Sequence, residues 1–231
     1  MKSKIFYFIV FAFVFSSCGY ETDDYFPLEK GKLLKYHVDF FDGEGIKKES
    51  KLIYTVIDDG HNESKLLGNS GQLITYSHEK GGIKRKNIEY IGSINVANVE
   101  RKMMKDRELD HFVLKYPLEI GTNWKINDLT RLKMKIGYDK VFETWLPFNL
   151  ENTISSVNEK VKINNKTFKN CIKVVGKGKT SYNVGPPLGN INIEILNTDW
   201  YAPGVGLVKT VRIEQSDSEI MGKIKTVKTF E

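Results

Sequence analysis

From Tyr25 onward, apolar and polar residues alternate with a period of two, the spacing of strands that turn one face to a core. Leu34, Tyr36, Val38 and Phe40 alternate with Lys35, His37 and Asp39, and Asp42-Gly-Glu-Gly45 reads as the turn that follows. A second strand is expected over residues 51–57, closed by Asp58-Asp-Gly60. Residues 72–78 and 83–91 read as a hairpin through Gly81-Gly82. Further on, Ile191, Ile193 and Ile195 alternate with Asn192 and Glu194, and Trp200-Tyr201 leads into Pro203-Gly-Val-Gly206. Leu207, Val211 and Ile213 follow against Thr210, Arg212 and Glu214, and Gln215-Ser-Asp-Ser218 turns the chain into residues 220–230. This is a three-strand meander. Lys223, Lys225 and Lys228 on its last strand suit an edge that must resist pairing with other molecules.

One stretch breaks the alternation. Val96, Val99 and Met103, with charged residues between them, match a short amphipathic helix or an irregular connection. No linker-like composition divides the chain. The pattern therefore predicts an all-β fold over residues 25–231, a single domain. It would be one large curved antiparallel sheet, an open half-barrel or clam, with or without that one short helix.

A short repeat lies within the pattern. Pro27-Leu-Glu-Lys-Gly31 recurs as Pro117-Leu-Glu-Ile-Gly121, each copy preceded by an aromatic residue, Phe26 or Tyr116. Proline fixes φ and glycine permits a positive φ, so the same turn can launch a strand in each half of the sheet.

The N-terminus carries a different signal. Lys2 and Lys4 precede an apolar run over residues 5–15, followed by Ser16, Ser17 and Cys18. This is the layout of a secretory signal peptide (residues 1–17), and the run is about half the ~20 residues a spanning helix needs. The serines before Cys18 resemble the bacterial lipobox, with Phe15 where leucine is usual. The resemblance implies cleavage between Ser17 and Cys18 and a covalent lipid on Cys18. Residues 18–24 then form a short polar tether. Gly19, rather than an aspartate, follows the lipidated position, which by the sorting rule of enteric bacteria implies the outer membrane, facing the periplasm.

Composition narrows the function more than it names it. The chain has 231 residues, 40 % of them hydrophobic and 28 % charged, and a formal net charge of +6. Its arginines are few and its lysines scattered, so no clustered basic patch argues for nucleic acid. Two cysteines, Cys18 and Cys171, cannot make a disulfide framework. Phe168, Ile172 and Val174 are expected on one strand face and Cys171 on the other, between Lys169 and Lys173. There it is a small buried hydrophobe or a thiol activated by lysines.

Catalytic motifs are missing. The four histidines (His37, His61, His78, His111) lie far apart, with no metal-binding spacing. Gly178-Lys179-Thr180 mimics the end of a phosphate loop, but Lys173 stands where that motif needs glycine. Gly68-Asn-Ser70-Gly71 fails the nucleophile elbow because Gln72 replaces its last glycine. Asp58-Asp59 and Asp23-Asp24 are adjacent pairs suited to turns and tethers. The expectation is no catalytic residue, no metal and no cofactor beyond the lipid on Cys18.

Taken together, Tyr25-Phe-Pro-Leu-Glu-Lys-Gly31 with Tyr36, and Trp200-Tyr-Ala-Pro-Gly-Val-Gly-Leu-Val-Lys209, resemble the opening and late motifs of a widespread group of β-rich bacterial envelope proteins of unknown function. Leu34 replaces the first motif's tryptophan, whereas the second copy keeps its own as Trp124. The stretch around Phe168 and Cys171 is similar to the group's central strand. The resemblance implies an antiparallel sheet curled like periplasmic lipid-carrier clams, and gives Pro27, Gly31, Pro117, Gly121, Trp200, Tyr201, Pro203, Gly204 and Gly206 a structural role.

Two functions follow as expectations. One is a non-enzymatic, lipid-anchored envelope protein that binds a partner protein or serves envelope structure or assembly. The other is a carrier or chaperone of a lipid or other apolar ligand on the concave face, lined by Tyr36, Phe40, Tyr54, Trp124 and Trp200. A filled interior would discard the second and an open hollow would favour it.

Overall fold

The computed structural model describes residues 24–43, 45, 47–60, 62–90, 110–136, 140–186, 189–218 and 221–231. The leader, Ser17, Cys18, most of the tether and the short helix expected around Val96–Met103 lie outside the described residues. Twelve strands follow in order: β1 (Leu33–Phe41), β2 (Lys47–Gly60), β3 (Glu63–Gly68), β4 (Gln72–Glu79), β5 (Gly82–Tyr90), β6 (His111–Lys115), β7 (Asn123–Ile136), β8 (Lys140–Ile163), β9 (Lys166–Gly185), β10 (Gly189–Ala202), β11 (Gly206–Ser216) and β12 (Lys223–Phe230). The fold is all-β, and no helix among the described residues is long and apolar enough to cross a membrane.

All twelve strands form one sheet in the order β6-β5-β4-β3-β2-β1-β12-β11-β10-β9-β8-β7. Each half is a run of hairpins, and the halves join where β1 pairs antiparallel with β12, Tyr36 opposite Phe230. The two edges, β6 and β7, are therefore neighbours in sequence, and the sheet curls until they meet. The result is the expected single curved sheet, nearly closed into a barrel. Among the described residues, side chains complete the seam where no backbone ladder does. Trp124 Nε1 donates to the Phe112 carbonyl (2.9 Å), Lys115 Nζ to the Asn123 carbonyl (3.0 Å), and the Tyr201 hydroxyl to the Val113 carbonyl (3.2 Å).

One expectation fails here. β12 is paired on both sides, to β1 and to β11, and so is not an edge strand. Lys223 and Lys225 are exposed, but Lys228 belongs to the alternate face and turns into the barrel. Lysines on a strand look alike in sequence whether they guard an edge or line an interior.

The repeat builds the same turn twice. Gly31 and Gly121 have φ of +85° and +95° and donate to the carbonyls of Val56 and Ile154. Lys32 and Thr122 close the turns onto Glu29 and Glu119, and Val56 and Ile154 in turn donate back to Lys32 and Thr122. Only the first copy tucks its aromatic inward, since Phe26 is buried while Tyr116 is exposed.

Packing explains the false phosphate loop. Gly176 and Gly178 lie in β9 beneath β8, and a Cβ on Gly178 would sit 2.6 Å from Phe148 Cδ2. One on Gly176 would run into Asn152 and Leu150. Large β8 side chains fill the space above bare backbone.

Candidate functional site

Inward-facing side chains fill one end of the barrel and leave a hollow in the other. Leu132, Met134, Leu146, Phe148, Ile191, Ile193, Ile195 and Met221 form a dry cluster. Next to it, Arg212 reaches across from β11 to β7, where Nη1 donates to Asp128 Oδ2 (2.6 Å) and Nη2 to the Leu129 carbonyl (3.2 Å). Its Nε donates to Glu214 Oε1 (2.7 Å), and the guanidinium stands 5.5 Å from the Phe148 ring centroid. This crosspiece floors a cavity of about 390 Å³.

The cavity walls are amphipathic. Phe26, Leu34, Leu66, Ile74, Trp124 and Val174 supply apolar surface, and Tyr36, Tyr54, Tyr76 and Tyr201 line it as well. The polar groups divide into those with partners and those without. Asp199 accepts from Thr210 Oγ1 (2.6 Å) and Asn197 Nδ2 (2.7 Å), and burial pushes its carboxyl above the ordinary range. Arg85 Nη2 lies 2.9 Å from His111 Nε2; guanidinium can only donate, so that imidazole carries its proton on Nδ1.

Arg85 Nε is buried with no hydrogen-bond partner. Lys228 Nζ stands 5.2 Å from the Tyr36 ring centroid and, among the described residues, forms no ion pair. Burial lowers its pKa, Asp199 opposes that shift and Arg85 adds to it. Burial also raises the Tyr36, Tyr76 and Tyr201 hydroxyls above their ordinary value. The hydroxyls of Tyr36 and Tyr76 have no hydrogen-bond partner among the described residues.

Burial penalises the Lys228 ammonium more than Asp199 relieves it, so Lys228→Met is expected to raise stability at pH 7 by about 1–2 kcal/mol. Because the folded pKa is depressed, the penalty is complete below it. It fades as pH rises through the folded pKa toward the unfolded value near 10.5. Urea titrations from pH 7 to 10 should therefore show the wild type closing the gap on the variant. A constant gap would refute the assignment.

The two sequence motifs meet beside this cavity. Tyr25 donates to the Asn170 carbonyl (2.9 Å), and Gly204 N donates to the Asp24 carbonyl (2.8 Å). Lys32 Nζ donates to the Pro27 carbonyl (3.1 Å), and a Cβ built on Gly206 would lie 3.8 Å from Pro27 Cδ. Phe26 then packs on Tyr76 and Tyr201, with ring centroids 4.9 and 6.4 Å apart. Gly204 and Gly206 hold φ of +70° and +102°, the left-handed region that the Pro203-Gly-Val-Gly206 turn requires.

No family model matches the chain, and no curated protein does. Among solved structures it is similar to one named as an exported protein with a YmcC-like fold from Bacteroides fragilis, at 12 % identity and a TM-score of 0.40, over 89 % of this chain and 98 % of that one. It is also similar to one named as a lipoprotein from Parabacteroides distasonis, at 14 % identity and a TM-score of 0.44, over 90 % and 98 %.

Of the aromatics expected in a hollow, Tyr36, Tyr54 and Trp124 line it, whereas Phe40 and Trp200 do not. Trp200 donates from Nε1 to Glu159 Oε2 (2.9 Å), and Lys173 and Lys209 stand 5.7 and 5.3 Å from its ring centroid. The lining residues that sequence reasoning missed are Arg85, Asp128, Asp199, Arg212 and Lys228. Arg85, Asp128, Asp199 and Lys228 share their even or odd position with inward apolar residues of their strands, whereas Arg212 turns inward opposite to Val211 and Ile213, so the face expected for that strand is reversed.

Cys171 is buried in a different cluster from Ile172 and Val174, as expected, but Phe168 is on the unexpected side. Asn170 has φ of +53° and the β8–β9 register slips nearby, so Phe168 packs in one cluster with Cys171 while Ile172 and Val174 join the cluster around the cavity. Burial raises the thiol pKa, against activation by the flanking lysines. Cys171 should resist maleimide in native buffer and react fully in denaturant, as followed by mass; prompt native labelling would refute its burial.

His37, Asp39 and Glu49 gather within metal-ligand reach. Lys47 already places its ammonium 3.0 Å from Asp39 and 2.7 Å from Glu49, so the carboxylates there have a cation.

Proposed function

We propose that this is a non-enzymatic, lipid-anchored protein of the bacterial envelope that carries a small amphiphilic ligand in its barrel. The cavity of about 390 Å³ supports this reading best, since it joins apolar walls to polar groups without partners. That volume falls at the lower end of small-molecule sites, roughly 300–1,000 Å³. A protein serving only as a structural or docking element has no use for such a hollow, and filling it would stabilise the fold. The lining among the described residues holds no serine or cysteine beside His111, which supports binding rather than nucleophilic chemistry.

The anchor at Cys18 rests on the leader and the lipobox-like Ser16-Ser17-Cys18. One acyl chain binds weakly and two or three bind firmly, so an acylated Cys18 would hold the barrel at a bilayer surface, the outer membrane by its Gly19. The short tether enters the fold at Asp24, two residues before the cavity-lining Phe26. A Cys18→Ala variant is expected to leave the membrane pellet almost entirely for the soluble fraction. Intact-mass analysis of the wild type should show a chain starting at Cys18 with acyl mass. Unchanged pelleting of the variant would overturn the anchor. Solvent extraction of purified protein followed by mass spectrometry tests the carrier reading, which an empty extract would overturn.

A further inference from the structure

The charges around the cavity do not cancel group by group. Arg212 is shared between Asp128 and Glu214 and is spent on the floor. Asp199 accepts from Thr210 and Asn197, and although it attracts Lys228 electrostatically it forms no ion pair with it among the described residues. Arg85 and Lys228 remain, from β5 and β12, which lie five strands apart and so face one another across the interior. Neither forms an ion pair among the described residues, and each is close enough to be felt by the other. Two cations without an ion pair in one hollow repel, and a bound anion relieves both at once. The hydroxyls of Tyr36 and Tyr76 stand at the same hollow as further donors. Beyond them the wall is apolar.

We infer that the cavity binds an amphiphile with a single anionic head, seated between Arg85 and Lys228, whose apolar body lies against Leu34, Leu66, Ile74 and Val174. The inference rests on the carrier reading and adds the charge of the ligand. The head is a carboxylate or a phosphate monoester, since guanidinium and ammonium serve either. The body is one chain or ring system, because roughly 390 Å³ does not hold two long acyl chains.

Calorimetric titration of the full chain carrying Cys18→Ala tests this with decanoate, decyl phosphate, decanol and decyltrimethylammonium. Decanoate, decyl phosphate or both should bind at least about tenfold tighter than decanol, and the cationic amphiphile should not bind. Whichever anion binds tighter identifies the head. Arg85→Gln and Lys228→Met should each weaken the anion about tenfold or more while leaving decanol unchanged. Thermal unfolding of each variant verifies that the barrel is intact. If decanol and the anions bind equally, the anionic head is refuted and the carrier reading stands. If none of the four binds, the carrier reading falls with it.

Discussion

Replacing Arg212 with methionine is expected to lower the unfolding free energy by about 3–5 kcal/mol, the cost of leaving buried charges without their partner. Two carboxylates depend on this one guanidinium. Asp128 at 2.6 Å and Glu214 at 2.7 Å have side chains only 13 % and 12 % exposed, so water cannot replace it well. Asp128 also lies on β7, three strands beyond β11's neighbour β10, so the contact ties opposite walls across the interior. Urea unfolding at pH 7 measures the loss. Adding Asp128→Asn and Glu214→Gln to the Arg212→Met variant should restore much of it, because the damage comes from unpaired charge rather than from missing volume. A loss under about 1 kcal/mol, or no recovery in the triple variant, would show that the crosspiece is solvated.

Trp124→Ala should cost a comparable ~3–5 kcal/mol, typical of emptying a buried aromatic site. It differs in where the structure fails. The indole packs in the cluster around the cavity and also donates to Phe112, on the edge strand that has no backbone ladder along the seam among the described residues. Trp124→Phe separates the two contributions. It keeps most of the packing and removes the donor, and should cost about 1–3 kcal/mol. Amide exchange in β5 and β6 should accelerate in both variants more than in β9 and β10. Uniform acceleration across the sheet would mean that Trp124 supports the core and not the seam.

The repeat shows how far a sequence reading reaches. Proline, leucine and glycine at fixed offsets specify a turn from local conformational preference, and both copies form the same hydrogen bonds. Strands with clean alternation, such as β1 and the Ile191-Ile193-Ile195 part of β10, were legible for the same reason. β3 and the 24-residue β8 were not, because polar residues interrupt their apolar spacing, nor was β6, whose three apolar residues are too short a run to show alternation. The face of Phe168 was misread because the left-handed Asn170 and the slipped register reset the alternation between it and Ile172. No residue type announces such a slip.

The site was less legible than the fold. Tyr36, Tyr54 and Trp124 were picked out as hollow-lining aromatics, and they are. Arg85, Asp199, Arg212 and Lys228 looked like ordinary surface charge, yet they set the character of the cavity. Alternation along the chain, governed by the two-residue period of an extended backbone, determined by itself that this protein is a large antiparallel sheet. Which strands close it, and which charges are thereby shut inside, was decided only when β1 met β12 and β6 came round to β7. The β1–β12 pairing joins residues far apart in the chain, Tyr36 to Phe230, and the closure at β6 and β7 depends on a shared interior that no local pattern encodes.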